Sequence, residues 1–402
     1  MLRIHPFPAL VPIPNKAAQV AAPPYDTVDD AEARALAAGR PDSFIRVTRA
    51  EVDFPPGTSS DDEAVHAAAR ERLRALVSEG LLRRQEDAIF LYRIVGRGHR
   101  QTGVVACCDV AAYEQGQIVR HERTRPDKET ERTRHIAACA AHTEPVLLAH
   151  RDHPEIEDLV RRDTCERPRC HFVGPDGATH TIWSVPSPQC YVARFAHLDK
   201  AYVCDGHHRA AAAARVAREM PDSPEAGRFP AVLFPFSTLR ILPYHRVVRD
   251  LNGLDGDRFR RRLEGVGHLE PSRTHEPGRR GDVGVYVEGK WWNLTLDPLL
   301  AMGPAAADSL DVSALQRLVL EPILGIADPR TDRRIDFVGG ARGTEFLARE
   351  VDEGRAAVAF AMHATSLHEL LAVAERGEIM PPKSTWFDPK PASGLVVHPF
   401  DV

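Results

Sequence analysis

The sequence predicts an α+β (mixed α/β) fold, and three observations support this prediction. Of the 402 residues, 43% are apolar and 27% are charged, as in soluble globular proteins. Short apolar segments with strand character are mixed with segments whose apolar residues recur at helical spacing. The sequence contains no internal repeat and no low-complexity tract. Such a mixture favours the mixed α/β classes, and the length allows two or three domains.

The first part of the chain, residues 1–100, is predicted to be an N-terminal segment that is rich in proline at its start. Ala21–Asp26 can form neither a helix interior nor a central strand, because proline lacks an N–H donor and restricts the residue before it. The expected elements, in chain order, are a helix at 30–40, a strand at Ser43–Thr48, a helix at Asp61–Glu79, and the strands 88–96 and 101–110 of a hairpin.

Two further parts are predicted, 101–245 and 246–402, with the first plausible boundary at 241–254. The expected strands are 144–150, 180–185, 201–205, 229–236, the hairpin 282–296, 334–340 and 356–362. The expected helices are the alanine-rich Arg209–Glu219, then 314–324, 344–354 and 366–377.

The charge and the composition restrict the partners and the compartment. Lys and Arg total 52 against 57 Asp and Glu, a net charge of −5, so the global basic field of a nucleic-acid-binding protein is absent. No run of about 18 apolar residues predicts a membrane span. The proline-containing start does not resemble a secretory signal. The chain has seven cysteines, an odd number that cannot all pair in disulfides within one chain. We therefore expect a cytoplasmic protein with reduced thiols and no membrane partner.

The sharpest motif is a strand end followed by Asp205, Gly206, His207, His208 and Arg209, after which the alanine-rich helix continues. A helix N-terminus presents free N–H groups and the positive end of the helix dipole, so it receives anions. The Arg209 guanidinium offers a donor fork that matches phosphate oxygens. Asp205 could hold a metal ion, orient a histidine or accept a proton. The competing interpretation is a simple N-cap with solvated histidines.

A second feature is the charged block Arg120–Arg134, which follows a predicted strand and mixes acids with bases. One of its acids could be a general base, and its cations could hold a polyanion. The alternative is a solvated helix face with Glu/Arg pairs three and four residues apart.

Two later loops could receive a second anion. A glycine-rich loop at 339–343 joins a predicted strand to a predicted helix, the geometry of a phosphate cradle, but it lacks the Lys-Ser/Thr of a P-loop. The competing interpretations are a tight turn at these glycines and a rigid covering loop at the prolines of Met380–Lys390. The predicted second anion site comprises Arg330, Gly339, Gly340, Arg342 and Lys383.

Long blocks of the sequence resemble, in order and over nearly the whole chain, a widespread bacterial and archaeal family of unknown function, family ten-fifteen. They include AAPPYD, RHERTRPDKETER, YVCDGHHRAAAA, LEPILGIADPRTDRRIDFVGGARG and MPPKSTWFDPKPASGL. The DGHHR block also resembles the motif of free-serine kinases with the ParB/sulfiredoxin-like fold, which phosphorylate the hydroxyl of L-serine. The resemblance implies a ParB/sulfiredoxin-like catalytic core at 101–245 with additional N- and C-terminal α/β segments.

The resemblance further implies an enzyme, a phosphotransferase with an alcohol group as acceptor. The expected donor is pyrophosphate, ADP or ATP, the expected acceptor is free L-serine or a similar small molecule, and Mg²⁺ is the expected cofactor. Glu122 would be the general base, Asp205, His207 and His208 would be catalytic, and Asp205 is also a candidate metal ligand. The implied phosphate-binding residues are Gly206, Arg209, Arg123, Arg125, Lys128 and Arg132.

The sequence departs from the family pattern in places that bear on the acceptor. Tyr244-His245-Arg246 stands where Tyr-Asn-Arg is expected, and Asp388 stands where Glu is expected. The alternative function is a non-catalytic, ParB-like regulator that binds a nucleotide or phosphoserine. The expected partners are a phosphate donor and a hydroxyl amino acid, with a homodimer as a further candidate. DNA binding is disfavoured by the negative charge and by the lack of a helix-turn-helix pattern.

Overall fold

The computed structural model describes residues 1–272 and 275–400, and it has the predicted mixed α/β architecture. The chain divides by its internal contacts into two compact units. The first unit contains Met1–Arg120, Thr124–Leu239 and the C-terminal residues from Pro389, and the second contains His121–Arg123 and Arg240–Asp388. The division into domains at 1–100, 101–245 and 246–402 remains a prediction. No helix in the described part of the chain is both long and apolar enough to cross a lipid bilayer.

The first unit has helices and strands that alternate along the chain. Its strands are β1 (Ile4–His5), β2 (Phe7–Pro12), β3 (Leu82–Ala88), β4 (Phe90–Gly96), β5 (His99–Asp109), β6 (Ile118–Val119), β7 (Ala141–His142), β8 (Val146–His150), β9 (Cys170–Val173), β10 (Thr179–Ser184), β11 (Ala201–Asp205), β12 (Arg228–Pro235) and, near the C-terminus, β21 (His398–Pro399). Its helices are α1 (Ala17–Val20), α2 (Asp30–Ala37), α3 (Ile45–Thr48), α4 (Glu63–Ser78), α5 (Val110–Glu114), α6 (Pro126–Cys139), α7 (Pro154–Asp163), α8 (Pro188–Phe195) and α9 (His207–Glu219).

A mixed sheet organises the first unit, with the strand order β6-β11-β8-β12-β5-β4-β10-β9 and with β1 paired to β5. Strand β11 pairs in parallel with β6 and antiparallel with β8, and β8 pairs in parallel with β12. Apolar side chains of these strands, among them Leu148, Val203 and Leu233, are fully buried in one core. Because β11 is held between two neighbours, the end of the strand at Asp205 has a fixed position.

Helices α6 and α9 pack against each other through a small apolar cluster that includes Ile136, Ala212 and Val216. The alanines of α9 explain this close contact, because their small side chains allow two helix backbones to approach. The part of the charged block that begins at Thr124 therefore lies next to the DGHHR motif in the first unit, although the two are far apart in the sequence.

Most of the expected elements of the first unit are confirmed, including the hairpin of β4 and β5. Its turn residues Arg97 (φ 50°) and Gly98 (φ 70°) both have positive φ, as a two-residue hairpin turn requires. The strand predicted at Ser43–Thr48 is wrong, because Ile45–Thr48 forms a helical turn. Phe44, Ile45 and Val47 are fully buried there, so packing overrides the weak strand preference of the β-branched residues.

The second unit is built on an antiparallel sheet with the strand order β15-β17-β16-β19-β14-β18. Its strands are β13 (Ile241–Leu242), β14 (Tyr244–Val248), β15 (Gly267–Pro271), β16 (Asp282–Val287), β17 (Lys290–Leu296), β18 (Ile335–Gly339), β19 (Val358–Met362) and β20 (Trp386–Phe387). Its helices are α10 (Gly256–Glu264), α11 (Pro298–Ala301), α12 (Asp311–Leu315), α13 (Thr344–Asp352) and α14 (Leu367–Glu375). The predicted helix at 314–324 differs from the structure, since α12 ends at Leu315 and a π-helical turn, Gln316–Leu320, follows.

Candidate functional site

The DGHHR motif forms the predicted strand–turn–helix unit of the first unit. Strand β11 ends at Asp205, Gly206 has φ 92°, and α9 begins at His207. A Cβ atom on Gly206 would lie 2.8 Å from Nε of Arg209, because the Arg209 side chain folds back over the turn. The turn therefore requires glycine for two reasons, its left-handed backbone and the space that Arg209 occupies.

Asp205 binds two cations at the start of α9. Its Oδ1 accepts a hydrogen bond from Nζ of Lys390, and its Oδ2 accepts one from Nη2 of Arg209. The side chains of these three residues are only 10–14% exposed. Nη1 of Arg209 also donates to the carbonyl of Pro145. We call Asp205, Arg209 and Lys390 the cation cluster.

The charges in this cluster fix its protonation state. Burial alone would raise the pKa of the Asp205 carboxyl, but Lys390, Arg209 and His207 outweigh it and hold the pKa well below its ordinary value. Burial would lower the pKa of the Lys390 ammonium, but Asp205 and Asp26 raise it. Asp205 is therefore an ionised counter-ion that orients two cations, and this environment does not suit a general base.

A bound Mg²⁺ does not fit Asp205 in this arrangement. Magnesium binds carboxylate oxygens that are free to coordinate it, whereas both oxygens of Asp205 already accept hydrogen bonds from cations. Among the described residues, no group of three or more His, Cys, Asp or Glu side chains could hold a metal ion. The predicted role of Asp205 as a metal ligand is therefore not supported by its geometry, and we derive no step through a metal.

Glu144 is a buried carboxyl next to the cation cluster. It lies just before β8, which pairs with β11 so that Leu147 is opposite Asp205. Its Oε1 accepts hydrogen bonds from the backbone N–H of Tyr25, at 3.1 Å, and from Oγ of Ser393. Burial raises the pKa of Glu144, although Arg209 and Arg132 partly oppose this effect. A buried carboxyl with a raised pKa is a candidate for proton transfer.

Arg132, on α6, is brought into the same region. It is 4% exposed, its guanidinium pairs with the Glu131 carboxylate, and it lies 4.2 Å from the centre of the Tyr25 ring. Tyr25 belongs to the AAPPYD block, whose proline-restricted backbone presents its N–H to Glu144. Three blocks that are distant in the sequence thus surround the cation cluster.

Other predicted phosphate-binding residues lie at the N-terminus of α6. Pro126 occupies the first turn of this helix, and the backbone N–H of Arg125 donates to Nε2 of His208 at 3.1 Å. The Arg125 side chain pairs with Asp127 at 2.7 Å, with both side chains more than half exposed. Lys128 is half-buried on the same helix. The competing interpretation of a solvated helix face therefore applies to the Arg125–Asp127 pair.

The second unit contains the remaining predicted site residues. Glu122 is half-buried there, and Arg123 lines a cavity of this unit together with Arg330. The other members of the predicted second anion site are placed elsewhere. A Cβ atom on Gly339 or Gly340 would meet the Trp386 ring or the Pro243 carbonyl at 2.6–2.7 Å, so close packing explains both glycines.

Arg342 and Lys383 each face an aromatic ring of the second unit. The guanidinium of Arg342 lies 5.1 Å from the centre of the Phe346 ring, and Nζ of Lys383 lies 5.3 Å from the centre of the Tyr244 ring. The lining residues of the cavity do not include Gly339, Gly340, Arg342 or Lys383. Arg330 thus lies on the cavity wall, while Lys383 faces Tyr244, the strand partner of Gly339, and the predicted second anion site stays a prediction.

Sequence reasoning missed three residues of the site: Glu144, Lys390 and Ser393. Lys390 lies in the same proline-rich segment as the predicted Lys383, and Ser393 lies in the same block, which resembles the family. That resemblance was the available signal for both residues. The only sequence feature that could have indicated Glu144 is the position of a carboxyl residue directly before an apolar strand.

Comparisons with known proteins give one family and several distant structures. The sequence matches the family described as "Protein of unknown function (DUF1015)" over residues 4–313. No curated protein matches it. Similar solved structures include a free serine kinase in complex with AMP (14% identity, 70% of this chain and 86% of that chain, TM-score 0.37). They also include a conserved hypothetical protein from Pyrococcus furiosus (14%, 70% and 90%, 0.36) and C-terminally truncated SbnI from Staphylococcus aureus (13%, 74% and 82%, 0.37).

Proposed function

The chain belongs to the DUF1015 family, as its sequence blocks predict, and we propose that it is a small-molecule kinase. It would transfer a phosphoryl group from pyrophosphate or a nucleotide to the hydroxyl of free L-serine or a similar small acceptor. The hydroxyl oxygen attacks the terminal phosphorus, the bond to the bridging oxygen of the donor breaks, and the hydroxyl proton passes to a carboxylate. The serine acceptor and the donor types are taken from the motif resemblance.

The observation that carries this proposal is the cation cluster at the start of α9. Phosphoryl transfer depends mainly on positioning and on neutralising the charge that develops on the phosphoryl oxygens. Arg209 and Lys390 are fixed side by side by Asp205, beside the N–H groups that open a 13-residue helix. Such a preorganised group of donors is suited to receive a phosphate of the donor.

The other residues of the proposed site extend this phosphate-binding surface. Arg132 is held in place by Glu131 and Tyr25, while Arg125 is the N-cap residue of α6 and Lys128 lies on its first turn. His207 and His208 occupy the first positions of α9 and would contact the donor. Arg123 belongs to the second unit, and its proposed role in phosphate binding rests on the resemblance alone.

Two carboxyls are candidates for the general base. Glu122 is proposed from the resemblance to the serine kinases. Glu144 is proposed from its burial and from its raised pKa, whose cause is desolvation. Asp127 is disfavoured, because its exposed pairing with Arg125 lowers its pKa.

The test is a screen of donors against acceptors with mass-spectrometric detection of the phosphorylated product. We expect O-phosphoserine, or the phosphate ester of a similar acceptor, with at least one of pyrophosphate, ADP and ATP. Arg209→Ala should abolish turnover, and Arg209→Lys should restore it only in part, because a lysine lacks the two-pronged donor geometry. Arg161→Ala, which removes an exposed arginine of α7, is the matched control and should be fully active.

The base is identified by comparing Glu122→Gln with Glu144→Gln. The true base should lose about 10²–10⁴-fold in kcat with little change in the acceptor KM, since glutamine keeps the size but cannot take the proton. Donor binding without turnover under every condition would instead support the alternative function, a non-catalytic regulator that binds a nucleotide or phosphoserine.

A further inference from the structure

The second unit contains a cavity of about 590 Å³ that shares Arg123 with the residues proposed for phosphoryl transfer and is otherwise separate from them. Its walls come from the segment 307–321, the loop 327–330 and the proline-containing segment 379–382, together with Arg246 and Phe337. Its volume lies in the range of pockets that bind small molecules. Both apolar and charged side chains line it, as in sites that hold a small polar ligand.

Arg246 is the unusual residue of this cavity. It is only 3% exposed, yet it forms no ion pair with a carboxylate anywhere in the described part of the chain. Its Nη atoms donate to the carbonyls of Tyr244 and Lys383, and the guanidinium lies 5.2 Å from the centre of the Phe337 ring. A guanidinium has five N–H donors, so these two bonds leave three.

The burial of Arg246 is energetically costly without a counter-ion. Burial lowers the pKa of Arg246 to about 9, and the opposing influence comes from the Tyr244 phenol. Buried arginines are normally paired with an acid, because an uncompensated charge loses its hydration. A bound anion would supply the missing negative charge.

A second polar group on the cavity wall also lacks a partner. Oε1 of Gln316 is buried without a hydrogen bond to any described residue, while its Nε2 donates to the carbonyl of Ile326 at 2.7 Å. Gln316 begins the π-helical turn, a distortion that often occurs at functional sites. The free oxygen can accept a hydrogen bond from a ligand.

The other charged residues of the wall are already engaged or exposed. Asp328 pairs with Arg330 at 3.0 Å, and the Arg317 guanidinium donates to backbone carbonyls, including that of Ala301 at 2.8 Å. Asp308 accepts a hydrogen bond from the backbone N–H of Ala305, and Glu321 is exposed. Arg246 is thus the buried cation of this wall that has no carboxylate partner among the described residues.

We propose that this cavity binds a small organic anion whose carboxylate or phosphate pairs with Arg246 and whose N–H or O–H group donates to Gln316. Arg123, an exposed cation of the same wall, adds attraction for the negative charge. The inference concerns residues of the second unit and does not depend on phosphoryl transfer.

The test is isothermal titration of the full chain with three probes: inorganic phosphate, L-serine and O-phospho-L-serine. The first offers an oxyanion alone, the second a carboxylate with N–H and O–H donors, and the third both anionic groups. We expect at least one amino-acid probe to bind. Arg246→Lys should weaken its binding about 10–100-fold, because a charge-assisted, fork-shaped contact is lost.

Two further variants keep the test informative if a change at the buried Arg246 prevents folding. Arg123→Ala, at an exposed position, should weaken every anionic probe several-fold. Gln316→Met should weaken the amino-acid probes about 2–10-fold but not inorganic phosphate, which at neutral pH offers mainly acceptors.

The titrations are repeated in an Arg209→Ala background, because the proposed kinase site of the first unit would itself bind these probes. The binding that remains in this background should weaken when Arg246→Lys is added. The proposal is overturned if none of the probes binds, or if binding is lost in Arg209→Ala but kept in the Arg246 and Arg123 variants. Because the readout is binding, failure of the kinase assay and failure of this proposal are distinguishable.

Discussion

Replacing Asp205 with Asn tests how the cation cluster is stabilised. The substitution keeps the size of the side chain but removes the negative charge shared by Arg209 and Lys390. Removing one partner of a buried ion pair costs about 3–5 kcal/mol, because a buried charge is left without compensation. Asp26 and Glu144 still attract Arg209, so we expect the lower end, about 3 kcal/mol.

The assay is urea unfolding combined with hydrogen exchange read on peptides from β8 and β11. This readout reports on the first unit, whereas tryptophan fluorescence would be dominated by Trp291, Trp292 and Trp386 of the second unit. Asp127→Asn is the matched control, because it removes a carboxylate from an exposed pair with Arg125 and should cost only about 0–1 kcal/mol. Equal stabilities of the Asp205 and Asp127 variants would refute the reasoning.

Two further predictions concern the turn at Gly206 and the buried His135. Gly206→Ala should destabilise the first unit more than Gly116→Ala. Both glycines have positive φ, but of the two only Gly206 would bring its new Cβ against another side chain, Arg209 at 2.8 Å. The urea midpoints of the two variants measure the difference, and equal midpoints would contradict the prediction. Burial, with a smaller effect of Arg132, lowers the pKa of His135 to about 3, against an ordinary value of 6.5. The unfolded chain therefore binds a proton at this residue between pH 6.5 and about 3 that the folded chain does not, and stability falls as the pH decreases through this window, by about 1.4 kcal/mol per pH unit. His135→Gln, which can still donate to the Val47 carbonyl, should reduce the loss between pH 7 and pH 5 by about 2 kcal/mol, and an unchanged pH dependence would show that this histidine is not the source.

The local part of the site could be predicted from the sequence because it depends on contiguous residues. A glycine between a strand and an alanine-rich helix specifies the turn, and the structure places Asp205, Gly206 and His207 as the pattern indicates. The spacing of Arg209 four residues after Asp205 brings the two side chains together at the start of a helix.

The long-range part could not be predicted in the same way. Lys390 is 185 residues from Asp205, and no periodicity connects them, so Lys383 of the same segment was an equally reasonable candidate. Glu144 is held by Tyr25 and Ser393, which are 119 and 249 residues away in the sequence, and a single sequence does not specify such contacts. The helical turn at Ile45–Thr48 depends on packing against other elements rather than on local preference.

The assignment of Glu122 illustrates a further limit of sequence reasoning. Glu122 and Arg123 belong to the second unit, whereas Thr124 and the residues of α6 belong to the first. Neither the composition nor the residue spacing of the charged block indicates that its residues belong to two different units. The roles of Glu122 and Glu144 in proton transfer therefore have to be separated by kinetics.

The most direct test of the proposed kinase activity is phosphorus NMR of the full chain with L-serine and each donor in turn. We expect a phosphate-ester resonance of O-phosphoserine to appear with pyrophosphate, ADP or ATP, and to be absent with Arg209→Ala. Arg161→Ala should form the ester at the wild-type rate. If no phosphate ester forms from any donor with L-serine or another small hydroxyl acceptor, or if Arg209→Ala forms it at the wild-type rate, phosphoryl transfer at the cation cluster is contradicted.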